Sequence, residues 1–131
     1  MTDILVPADP ADLIDRIVGL QLRIDTTDDP VLQTELRRKH ALLLRLADRI
    51  MPPDDRLQDL VHQLGDARRD LRTLVIDLQA CDSRKDYGVG FVALSQAMLA
   101  AIISAEEARA GINLCFARLG EGPVGDMLHE P

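Results

Sequence analysis

At 131 residues the chain is long enough for one hydrophobic core and too short for two, and with 47% apolar residues it is too hydrophobic to stay disordered over most of its length. A net charge of −7 excludes the basic field that phosphate binding needs. Its aromatics, Tyr87, Phe91 and Phe116, offer no platform for stacked bases, so nucleic acid is not an expected partner and aliphatic residues must build the core.

Residues 1–8, with Pro7 restricting the backbone, are expected to be extended. They show neither a basic start nor an apolar run of signal-peptide length, so the expected address is cytoplasmic. Asp9-Pro10 then reads as an N-cap followed by proline in the first turn, with Asp12 placed favourably for the helix dipole. This first helix should run to about Asp25. Leu13, Ile14, Ile17, Val18, Gln21 and Ile24 share one face of it, and Gly19 suggests a close approach by another helix.

Thr26-Thr27-Asp28-Asp29-Pro30 repeats the start signal, and a second helix is expected from Pro30 to Met51. Its stripe is Leu32, Leu36, Leu43, Ala47 and Ile50, widened by Leu44 and Leu46, with His40 at the boundary. Arg37-Arg38-Lys39-His40 looks basic, but four consecutive helical residues point around the whole circumference. The run is read as a solvated face with local ion pairs.

Pro52-Pro53 ends that helix, and Asp54-Asp55 opens a third. Leu57, Leu60, Leu64, Ala67, Leu71, Leu74, Leu78 and Cys81 then alternate steps of three and four, which is a heptad seam. Val61 and Val75 lie beside it and Ile76 on the far side, so the helix is apolar on more than one face. A polar, glycine-containing turn, Ser83–Gly90, follows. The seam resumes as Phe91, Leu94, Met98, Ala101, Ala105, Ala108, Ile112, Cys115 and Leu119, and Gly120–Pro123 stops the helix ahead of a tail expected to be mobile.

Two heptad helices joined by a short loop should fold back as an antiparallel hairpin. With Cys81 near Phe91, Leu71 falls opposite Ala101 and Ala67 opposite Ala105. The two cysteines then lie roughly 36 Å apart along the axis, too far for a disulfide. Leu99, Ile102, Ile103 and Phe116 sit off the seam and need the first two helices or a second subunit to cover them. Gly88–Ala105 is 18 residues without a formal charge, close to the minimum for a membrane span. Ser95, Gln96 and Ser104 interrupt it, and the same period continues beyond Glu106 and Glu107. The central helix of a bundle is the preferred reading, and no membrane span is expected.

The best polar group on the hairpin is Glu106, Arg109 and Asn113, at i, i+3, i+7 spacing on one helix face. Carboxylates so spaced can hold magnesium when a neighbouring helix supplies a second acidic pair, but Asp66, Asp70 and Asp77 lie largely on a flank. Surface ion pairing with one interfacial amide is the simpler reading. His62 and His129 have no partner at ligand spacing, and no glycine-rich phosphate loop, metal set or cofactor motif is present.

Three runs resemble a bacterial family of small helical proteins described only as a domain of unknown function. That family opens Ile-x-Pro-Ile-Ser-x-Gly-Glu-Leu-Ile-Asp-Lys-Ile, against Ile4-Leu5-Val6-Pro7 through Leu13-Ile14-Asp15-Arg16-Ile17 here. Its middle segment is similar to Leu78–Asp82, Asp86-Tyr87-Gly88, Phe91 and Leu94. Its closing Arg-Ala-x-x-Lys-x-x-Ile-Asn resembles Ala105 to Asn113, with Arg109 for the lysine. The family's Trp-Asp-Ile-Glu-Asp run would fall at Arg72–Ile76, and its Tyr…Asn-Asp group at Leu99, Ile102 and Ile103. The resemblance thus implies that polar and aromatic positions have become aliphatic on both helices, and that any site built from them is lost. It also implies an association with sugar transfer for the cell envelope.

Together these readings predict a single all-α domain, a four-helix bundle with a long antiparallel hairpin formed by the third and fourth helices. The leading functional expectation is a non-catalytic interaction or accessory protein that self-associates as a homodimer and can hold a protein partner. The alternative is a small-molecule-binding or metal-dependent helical enzyme with a polar pocket between helices, built from Glu106, Arg109 and Asn113 with Asp15 or Arg16.

Overall fold

The computed structural model describes residues 9–51 and 53–120; the expected extended start and the expected mobile tail lie outside them. All regular elements among the described residues are helices: α1 Pro10–Thr26, α2 Pro30–Ile50, α3 Asp55–Ser83 and α4 Val89–Gly120. The boundaries follow from local chemistry. Asp9, Asp29 and Asp54 each cap a helix, accepting from the amides of Asp12 (2.9 Å), Val31 (3.0 Å) and Arg56 (2.9 Å). Pro10 and Pro30 occupy first turns, where their missing N–H costs nothing.

The turn between the long helices is shorter than its composition suggests. α3 ends in a Schellman arrangement, with Asp86 N donating to Cys81 O at 2.9 Å and Lys85 N to Asp82 O at 3.0 Å. The left-handed residue this motif demands is Lys85 (φ 53°), while Gly88 stays out of positive φ and Gly90 already lies in α4.

α3 and α4 form the antiparallel hairpin. Leu60 lies against Gly111, where an added Cβ would come within 2.9 Å of both Leu60 methyls, and Gln63 Nε2 donates to Ser104 O at 3.0 Å. These pairs reproduce the expected register to within about a turn. Gly111, rather than Gly19, is the site of close approach; among the described residues nothing lies within 4 Å of a Cβ built on Gly19, because α1 turns that side away from the other helices.

α1 lies across one half of the hairpin only. Ala11, Ile14 and Ile17 join Leu57, Leu60, Leu64, Ala67, Ala105, Ala108, Ile112 and Cys115 in the main core, with Phe116 packed against it. Leu20, Ile24 and Leu36 form a second, smaller cluster between α1 and α2. Leu20 is buried where the sequence pattern pointed to Gln21, which instead bonds Asp25 at the surface (2.8 Å). α2 packs chiefly on α1, so only a narrow strip of it, Leu36 and Ala47, is buried; Leu32, Leu44, Leu46 and Ile50 remain exposed.

Candidate functional site

Where α1 meets the hairpin, a polar clamp holds it. Asp15 accepts a two-pronged contact from Arg68 (Nε 2.9 Å, Nη2 2.6 Å) and a further bond from Arg109 Nη1 at 2.8 Å. Arg109 also donates to Asp12 and, at 3.3 Å, to the carbonyl of Ala11. Asn113 Oδ1 accepts from Ala11 N at 2.9 Å, satisfying one of the amides that every helix start leaves without a partner. The planar fork of arginine suits this role, since it bridges carboxylates on two turns of α1 at once.

The charges follow the geometry. The hydrogen bond from Arg109 holds the Asp12 carboxyl below its ordinary value, because a cationic donor bonds the ionised form more strongly than the neutral one. Arg109 is held above its own ordinary value, first by Asp12 and then, against partial burial, by Asp15.

Of the residues singled out from the sequence, Asp15, Arg109 and Asn113 come together. Arg16 and Glu106 are exposed and enter no hydrogen bond or ion pair among the described residues. Arg68 belongs to the cluster but carried no mark in the sequence. Its partner is 53 residues away, and only the crossing of α1 over α3 unites them. The clamp's hydrogen-bonding capacity is directed at α1 itself. Asp66 is paired with Arg69 on the other side of α3, away from Glu106. No group of three or more His, Cys, Asp or Glu among the described residues is placed to hold a metal ion. His40 and His62, remote in sequence, line the same hollow of about 210 Å³ with Val18 and Val61.

Beyond the clamp the hairpin continues for its outer half with no third helix on it among the described residues. The seam residues there, Leu71, Leu74, Leu78, Phe91, Leu94 and Met98, are only half-buried, whereas their counterparts Leu64 and Ile112 are fully enclosed at 0% exposure. Ile76 (57% exposed), Leu99 (59%), Ile102 (40%) and Ile103 (49%) stand in the open. Two unlike grooves flank this outer half. On the side where α1 crosses the base, an apolar groove of about 310 Å³ lies between Val75, Leu78, Phe91 and Met98, with Ser95 and Asp82 at its edges. On the other side the walls are small or polar, including Asp70, Thr73, Ala97, Ala100 and Ser104.

Both free cysteines, Cys81 near the tip and Cys115 near the base, are buried in separate parts of the hairpin. No family model, curated protein or solved structure matches the chain.

Proposed function

We propose that this protein is a non-catalytic helical interaction or accessory module that self-associates through the outer half of its hairpin. One observation carries the reading: a heptad seam continues without a break into a region where no other element among the described residues closes over it. Leaving about ten large aliphatic and aromatic side chains half or fully exposed in water costs far more than a few scattered surface leucines would. A homodimer is the arrangement this favours. The link to envelope sugar metabolism rests on the motif resemblance alone.

α4 is long and apolar enough to cross a membrane, and only 11% of its most apolar stretch is buried. Its hairpin partner argues for protein rather than lipid as the cover. α3 carries Asp70, Arg72 and Asp77 alongside that same stretch, and a span would draw these charges into hydrocarbon with it.

Light scattering coupled to size exclusion at low micromolar concentration tests the reading. A mass of twice 14.5 kDa is expected, and a strictly monomeric mass over the accessible range would overturn it.

A further inference from the structure

The hairpin carries a second stripe beside its seam. On α3 it runs Val61, Gly65, Arg68, Arg72, Val75, Gln79, Asp82, and on α4 Val92, Ser95, Leu99, Ile102, Glu106, Arg109, Asn113, each in steps of three and four. Both strings lie on the side that α1 crosses. At the base, this stripe is already an interface: Val61 and Gly65 border the hollow with Ile17 and Val18, and Arg68, Arg109 and Asn113 clamp α1. The outer members continue the same face with no cover among the described residues.

We infer that a second copy of the chain covers the outer part of this stripe, the two hairpins lying face to face and antiparallel, α3 over α3 and α4 over α4. This rests on the self-association proposed above and adds to it the face, the direction and the register. The charges set the direction. Arg72, at the inner end of the free stretch of α3, makes no ion pair among the described residues, and Asp82 stands at the outer end. Their midpoint is residue 77. A two-fold axis at that level brings each Arg72 opposite Asp82 of the partner subunit, about 15 Å of helix being shared. The level of residue 77 on α3 corresponds to Ser95 on α4, which faces its own copy across the axis.

The same overlap carries the tip of one hairpin, with Arg84 and Lys85, to the level of Ile102 and Ile103 of the partner subunit, about one helical turn short of Glu106. The α4 stretch between, Gly88–Ala105, has no charge to desolvate. A parallel pairing places Arg72 and Asp82 against that uncharged stretch and leaves Arg72 without a carboxylate and Asp82 with only its hydrogen bond from the Tyr87 hydroxyl.

Two sets of variants test the arrangement in the full chain. S95C should form a disulfide-linked dimer under mild oxidation, since residues facing each other across an antiparallel helix pair approach within disulfide reach. A97C, on the opposite flank of α4, and the wild type with its two buried cysteines should not. R72D should weaken dimerisation about tenfold or more by placing two like-charge pairs in each interface, and R72D/D82R should recover most of the loss. Circular dichroism confirms that each variant remains helical. If the wild type is dimeric but A97C cross-links in preference to S95C, or the double variant recovers nothing, the face and register fall while self-association stands. A wild type that is monomeric throughout removes both.

Discussion

The two halves of the hairpin are written in the same heptads, yet one is a core and the other a surface. At the base, Leu57, Leu60 and Leu64 meet Ala108, Gly111 and Ile112, and α1 completes the enclosure. In the outer half, Leu74 and Leu78 face Leu94 and Phe91 with no further element above them among the described residues. A seam therefore fixes which helices pair. It does not fix burial, because a two-helix contact covers only one side of each residue and full enclosure needs a third element.

Cavity-forming substitutions should separate the halves most sharply. Leu64→Ala, at a fully enclosed position, is expected to cost about 3 kcal/mol in urea unfolding, regardless of protein concentration. Leu78→Ala should cost only about 1 kcal/mol, and that cost should shrink as the protein is diluted towards monomer. Equal costs at every concentration would mean that the outer half is sealed within one chain.

The clamp comes next. Asp15→Ala leaves Arg68 and Arg109 without their shared partner; since these groups are 20–30% exposed, the expected loss is about 1.5 kcal/mol. Hydrogen exchange should show it as faster opening of α1, with the outer hairpin unchanged. At the opposite end, Lys85→Gly should raise stability by about 1 kcal/mol by relieving a left-handed conformation that lysine adopts at a penalty. It should leave the base untouched.

The smallest effect is on pH. The folded-state value of Asp12 lies below its ordinary 3.8, so its contribution is complete above that pH and is lost as pH falls through the lowered folded value. A urea-midpoint profile from pH 5 to 2 should therefore be steeper for the wild type than for Asp12→Asn. Parallel profiles would show that the Asp12–Arg109 contact is not made in solution.

Much of this fold is legible in the sequence because its signals are local. Asp–Pro pairs mark two helix starts, and steps of three and four name the residues of both seams. Asn113 also stood out, spaced with Glu106 and Arg109 at i, i+3, i+7 on one helix face. What stayed hidden depends on where α1 crosses. Periodicity cannot tell that its first turns lie on α4 and its middle on α3. It therefore could not find Arg68, exclude Arg16 from the clamp, or say that Leu20 rather than Gln21 turns inward. The narrow burial of α2 escaped for the same reason: its apolar stripe is broad enough for two neighbours, and it has essentially one.

α1 has one more consequence. Under the antiparallel pairing proposed above, α1, lying across the face, leaves free only the outer track that one neighbour would fill, so that assembly would close at two. A hairpin stripped of α1 would offer the stripe along its whole length, and copies could then overlap in staggered steps, each leaving a fresh end for the next. The aspartates that pin α1 in place would in that sense act as chain terminators, keeping a sticky heptad surface from growing into filaments.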